Sequence, residues 1–260
     1  NNCINSTKNM FMKVFSKKLV VFLVFLCVGF SYFAQTTETT RILFIFDGSN
    51  SMNGQWQEQT KIKVAKKLMY ETMDELSKLD NIEVGLRLYG HQTKLYPGQQ
   101  DCNDTKLEVP FGKDNYEKVK MKINSLQPKG TTPIARSLEF AAEDFPPCDN
   151  CRNVIILITD GIEACDEDPC AVAKMLREKG IEVRPYVIGI AMDLESLKDF
   201  ECIGKSYDAS TEESFRDVMK VVMSEALNNT TVQVNLLNTK KLPRETDVTL
   251  SFYDQKTGEL

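Results

Sequence analysis

Two stretches of the chain are apolar without a break. Ile42–Phe46 ends at Asp47, and Val154–Ile158 reaches Asp160 through Thr159. A strand with one wet face alternates apolar and polar residues, so an unbroken run predicts burial on both faces, as in a central parallel strand. Other segments step by three and four. Ile62, Ala65, Met69, Met73 and Leu76 predict an amphipathic helix. Ile82–Tyr89 reads as a strand stopped by Gly90. Leu107–Phe111 reads as a short returning strand, and Pro110 suits an edge position. Helices are expected over Tyr116–Leu126, Pro133–Phe145 and Pro169–Lys179, the last closed by Gly180. Val183–Ile190 is a further strand, Leu194–Ile203 a short helix and Lys205–Ala209 a last short strand. Thr211–Leu227 is the closing helix, with Val218, Val221 and Val222 on its apolar side.

This order predicts an α/β fold: a doubly wound, mostly parallel sheet with helices on both faces, Rossmann-like, from about residue 40 to 228. Its parallel crossovers are expected to be right-handed. The tail, residues 229–260, has a different rhythm. Val232, Val234 and Leu236 alternate with polar residues, as do Val248, Leu250 and Phe252. Two strands do not make an independent fold, so this segment is expected to begin a β-sandwich domain that is truncated here.

Residues 1–34 read as an address. Lys13, Lys17 and Lys18 precede an apolar run from Leu19 to Phe30, followed by Ser31-Tyr32-Phe33-Ala34. Basic, apolar, then small is the order of a secretory signal peptide, with cleavage expected after Ala34 and an upstream extension before Met10 or Met12. The whole chain has a net charge of −5. The leader holds four Lys and no acid, so the remainder is more acidic still. Nucleic acid and anionic membrane surfaces both demand a cationic face, and neither is an expected partner. The single histidine, His91, excludes a multi-histidine metal site.

Export bears on the cysteines. Setting aside Cys3 and Cys27 in the leader, six remain: Cys102, Cys148, Cys151, Cys165, Cys170 and Cys202. An even number in an exported chain points to disulfides, although six cysteines allow 15 pairings. Cys165 and Cys170 lie close enough in sequence to staple one loop, and that pairing is expected. A zinc site from Cys148, Cys151, Cys165 and Cys170 fits poorly, because an apolar strand separates the two pairs. A redox role for Cys148-x-x-Cys151 is also weak, since the motif leads into a strand rather than a helix N-terminus.

The candidate chemistry lies in three polar clusters. In an open α/β sheet, ligands bind beyond the carboxyl ends of the strands. Asp47-Gly48-Ser49-Asn50-Ser51, Lys129-Gly130-Thr131-Thr132-Pro133 and Asp160-Gly161 should meet there. They offer carboxylates and hydroxyls, with no thiolate or imidazole. Such hard donors suit Mg²⁺, with Mn²⁺ or Ca²⁺ as alternatives. The alternate oxygens of Asp47, Ser49 and Ser51 can turn to one point, and Gly48 lets the backbone pass closely. Two carboxylates balance a divalent ion, and an open position would accept an external Asp or Glu. Plainer roles exist for some of these residues. Thr132 before Pro133 has the form of a helix N-cap, and Asp168-Pro169 is taken as a cap only.

These residues resemble a von Willebrand factor type A domain with a metal-ion-dependent adhesion site, over about residues 41–227. Phe46-Asp47-Gly48-Ser49-Asn50-Ser51-Met52, Gly130-Thr131-Thr132-Pro133-Ile134 and Ile158-Thr159-Asp160-Gly161 carry the likeness. The resemblance implies metal binding by Asp47, Ser49, Ser51, Thr132 and Asp160. The serines and threonine would bind directly or through water, the aspartates often through water, and a partner's carboxylate would complete the sphere. Asn50 stands where glycine is common, between ligands rather than at one. The stretch from Asp160 to Cys170 is similar to exported bacterial members. The implied function is a non-enzymatic, exported adhesion or protein-binding module, in the periplasm, cell envelope or medium. Two alternatives remain at this point. A metal-assisted phosphoryl hydrolase would use Asp47 as nucleophile, but Ser49 stands where such enzymes carry a second acid. A structural part of an envelope assembly would use the ion only to stabilise its loops.

Overall fold

The computed structural model describes residues 38–178, 184–190, 192 and 194–227. The expected leader, 1–34, and the expected tail strands, 229–260, lie outside them. Strand β1 is Thr39–Asp47. A 3₁₀ turn, Asn50–Asn53, and a small hairpin of β2 (Gln55–Trp56) and β3 (Gln59–Thr60) lead into helix α1, Lys61–Leu76. Then come β4 (Ile82–Tyr89), β5 (Thr105–Gly112), α2 (Tyr116–Ser125), α3 (Ile134–Asp144), β6 (Cys151–Thr159), α4 (Pro169–Glu178) and β7 (Arg184–Ile190). The last elements are α5 (Leu194–Lys198), β8 (Lys205–Ala209) and α6 (Glu212–Ala226). The main sheet has six strands in the order β5-β4-β1-β6-β7-β8. All neighbours are parallel except β5, which runs antiparallel to β4 at the edge and carries Pro110.

The unbroken apolar runs have the predicted cause. Ile42, Phe44 and Phe46 of β1 point to one side, where with Val154, Ile156 and Ile158 of β6 they pack under α1, α2 and α6. Leu43 and Ile45, with Ile155 and Leu157, point to the other side, under α3 and α4. Each of these side chains contributes about 1.5–3 kcal/mol by leaving water. β1 sits between β4 and β6, in register from Thr40↔Ile82 to Asp47↔Tyr89 and from Thr39↔Cys151 to Phe46↔Ile158. That register brings the ends of β1, β4 and β6 level at one edge of the sheet.

Three expectations need correction. The helix at 194 stops at Lys198; the turn beyond it still buries Phe200 and Ile203 in the second layer. On α6, Phe215, Met219, Val222 and Ala226 form the buried stripe, while Val221, rotated off it, is 47% exposed. The disulfides are Cys102–Cys165, Cys148–Cys151 and Cys170–Cys202, so Cys165 and Cys170 do not pair with each other. Asp166 takes a left-handed turn with φ 44°. Beyond it Asp168 accepts the Cys170 and Ala171 N–H groups and starts α4. Cys165 lies buried against Cys102, while Cys170 lies on α4 beside the turn that carries Cys202. Nearness in sequence says nothing about which way two side chains face. The disulfides also dispose of the zinc set, because oxidised sulfurs are not thiolate ligands. Cys102–Cys165 spans 63 residues and by chain entropy contributes about 4 kcal/mol.

Candidate metal centre

Asp47 ends β1 and is fully buried. Its Oδ1 accepts the Ser49 N–H at 2.7 Å, closing a tight turn two residues on. Its Oδ2 accepts the Tyr89 hydroxyl at 2.8 Å, the Thr159 hydroxyl at 2.9 Å and the Asp160 N–H at 3.4 Å. Burial, followed by repulsion from Asp160, raises the Asp47 carboxyl to about 6 despite those donors. Burial, with the neighbouring Asp47 charge, pushes the Tyr89 phenol upward.

Asp160 follows β6, and its side chain is also fully buried. Its Oδ1 accepts the Ser51 hydroxyl at 2.7 Å. Ser51 lies 2.8 Å from the Ser49 hydroxyl, which donates to it because Ser51 donates onward. Oδ2 pairs with the Lys61 ammonium at 2.8 Å. The structure therefore brings four of the five expected residues, Asp47, Ser49, Ser51 and Asp160, into one linked group. Thr132 is buried on the adjacent loop; among the described residues no hydrogen bond joins its hydroxyl to the other four.

Backbone contacts stitch the loops together. Asn50 N–H donates to Gly130 O at 2.9 Å, and Lys129 N–H to Gly48 O at 3.0 Å. Gly130 N–H donates to Gly90 O at 2.8 Å, and Ala164 N–H to Thr132 O at 3.1 Å. The fit is too close for side chains. A Cβ on Gly48 would fall 2.7 Å from Tyr89 O, and one on Gly90 (φ +62°) only 2.3 Å from Thr131 O. Asp104, buried, accepts the N–H groups of Gln92 and Thr93 and so shapes the loop after Gly90. The Cys102–Cys165 bridge joins the Asp104 segment to the Asp160 loop.

Thr132 does not cap α3. Glu163 does: its Oε2 accepts the Ala135 N–H at 2.7 Å, and its Oε1 accepts the Cys165 N–H at 2.9 Å. Burial pushes the Glu163 carboxyl upward against these donors. Glu167 pairs with Arg136 at 2.8 Å, so this acidic loop is docked on α3. His91 packs beside Gly48 but, among the described residues, shares no hydrogen bond with the linked group; its Nε2 lies 3.3 Å from Glu108 Oε1. Sequence reasoning gave no role to Lys61, Tyr89 or Thr159, and it placed Glu163 only in an acidic loop near the rim of the site, not as a cap of α3. A signal existed for Tyr89, a polar aromatic ending a strand beside Gly90. None existed for Lys61, 14 positions beyond Asp47 and across an unforeseen hairpin.

Comparison with known proteins agrees with this architecture. The uncharacterized protein YwmD of Bacillus subtilis is 32% identical over 176 residues, 66% of this chain and 77% of its own length. Among solved structures, the conserved hypothetical protein BatB from Bacteroides thetaiotaomicron superposes with a TM-score of 0.58 at 22% identity, covering 73% of this chain and 99% of that one. The pilus adhesin SpaC from Lactobacillus rhamnosus GG, open conformation, reaches 0.60 at 12% identity, covering 75% of this chain and 31% of that one. At such identities the two structures speak to the fold alone. The family model for the von Willebrand factor type A domain matches residues 42–237, and this chain belongs to that family.

Proposed function

We propose that this chain is an exported protein-binding module in which Asp47, Ser49, Ser51, Thr132 and Asp160 hold a divalent cation, Mg²⁺ in the first instance. The observation that carries the reading is the linked group itself: two buried carboxylates and two serine hydroxyls at the carboxyl edge of the sheet. Every donor is a hard oxygen, which fits Mg²⁺, Mn²⁺ or Ca²⁺ and not a thiolate- or imidazole-seeking ion. When bound, the ion would supply a positive anchor for an Asp or Glu carboxylate of a partner protein. The chain's own residues do the rest. Tyr89 and Thr159 orient Asp47, the paired serines face Asp160, and the glycine-lined loops hold the three segments in contact.

Protein binding is the ordinary work of this family, and SpaC, a pilus adhesin, shares the fold. Three disulfides among the described residues favour an oxidising compartment, hence periplasm, envelope or medium. Among those residues no helix is long and apolar enough to cross a membrane. The arrangement argues against the hydrolase alternative. Asp47 is fully buried with both oxygens engaged, so it is poorly placed to attack a phosphoryl group.

The test uses Ser51→Ala, since Ser51 is exposed while Asp47 is part of the core. Isothermal titration should show Mg²⁺ binding by the full chain, weakened by at least about tenfold in S51A, the loss that even an outer-shell partner causes. Partner capture from envelope extract should need Mg²⁺ and be lost with EDTA. Capture unaffected by both EDTA and S51A would refute the mechanism.

A further inference from the structure

One charge at the centre belongs to no expected ligand. The Lys61 ammonium lies 2.8 Å from Asp160 Oδ2, on a carboxylate that is fully buried, while the lysine side chain itself is only 17% exposed. It is held there by the segment that places the serines. The Gly54 N–H donates to Ser51 O at 2.7 Å, and the Lys61 N–H donates to Gly54 O at 2.9 Å. A Cβ on Gly54 would sit 3.7 Å from Lys61 Cε, so the lysine stem runs beside this glycine toward Asp160.

The position is also locally unfavourable. Lys61 is the first residue of α1, and the first turn of that helix contains no acid. A helix N-terminus carries partial positive charge, so an ammonium there costs stability rather than adding it. A residue that breaks a local rule needs a compensating contact. Here the contact is Asp160, whose other oxygen is already committed to Ser51.

We propose that Lys61 is a resident counter-cation of the centre, competing with the divalent ion for Asp160 and so setting the ion's affinity. This rests on the metal-binding reading above. Without the ion, the ammonium neutralises Asp160 and keeps its loop against Ser51. With the ion, two cations address one carboxylate, and their repulsion weakens binding. Like charges a few ångströms apart at a protein surface repel strongly enough that removing one should strengthen ion binding by about tenfold or more.

The experiment titrates the full chain with Mg²⁺ by calorimetry and follows thermal melts with and without the ion. Lys61→Met keeps the stem and removes the charge. Lys61→Gln removes the charge but retains a hydrogen-bond donor for Asp160, which covers the case in which K61M does not fold. Lys61→Arg keeps the charge. Lys63→Met changes net charge equally from an exposed position on the same helix. Expected are about tenfold tighter Mg²⁺ binding in K61M or K61Q than in K63M, near wild-type affinity in K61R, and a lower melting temperature for K61M that Mg²⁺ restores. Mg²⁺ binding by the wild type that is no tighter in K61M or K61Q than in K63M would overturn the competition alone. No Mg²⁺ binding by any of the proteins would overturn both this inference and the metal-binding reading.

Discussion

Two pairs of elements in this molecule bring buried carboxylates together with cations, and they treat the charge differently. At one, Arg87 of β4 and Asp144 of α3 meet as a two-pronged pair, with Nε and Nη2 each 2.7 Å from a carboxylate oxygen and both side chains 6% exposed. One cation answers one anion, and the geometry is complete. At the other, the side chains of Asp47 and Asp160 are both buried, and the Lys61 ammonium pairs with Asp160. The first arrangement is what a structural ion pair looks like. The second leaves Asp47 with hydrogen bonds but, among the described residues, no paired cation. A buried charge without compensation is costly, and persists where function requires it. The contrast between matched and unmatched carboxylates is one support for the binding site proposed at the strand ends.

The contrast can be broken at the matched pair first. Arg87→Met strands Asp144 as an uncompensated buried charge and should cost about 3–5 kcal/mol in urea unfolding. The Mg²⁺ response of the variant should be unchanged, because the Arg87 guanidinium bonds Asp144 and Thr105 and none of the five expected ligands. A small cost would mean that Arg87 and Asp144 are not a matched structural pair.

A smaller effect sharpens the unmatched side. Asp47 has a carboxyl raised to about 6 in the folded chain, against an ordinary value of 3.8. The folded state therefore holds its proton more tightly than the unfolded state. The stability that this proton contributes is full below about pH 3.8 and is lost as pH rises through about 6. In EDTA, Asp47→Asn should flatten that part of the profile, read from melting temperatures between pH 4 and 7. An unaltered slope would show that Asp47 is not the group responsible.

Much of this was legible in the sequence, for physical reasons. The runs at Ile42–Phe46 and Val154–Ile158 are apolar at every position because both faces of β1 and β6 are covered. The Asp47-x-Ser49-x-Ser51 loop was legible because its spacing is local: the Asp47 turn and the Ser49–Ser51 contact form within five residues. What stayed hidden depends on chain direction across long separations. Cys165 and Cys170 are five apart, yet a left-handed Asp166 and the start of α4 send them to different partners. Thr132 has the sequence form of a cap, but Glu163 arrives from the following crossover and takes the N–H group. Lys61 reaches Asp160 because a hairpin of two-residue strands, too short for any periodicity, turns the chain back toward the sheet edge.

The most direct test of the central claim is a crystal of the full chain grown with Mn²⁺, read by anomalous diffraction. The account predicts one strong peak within coordination distance of oxygens from Ser49 and Ser51, with Thr132, Asp47 and Asp160 reaching it directly or through ordered water. A map with no peak at that sheet edge, at a concentration saturating for ordinary Mn²⁺ sites, would contradict it.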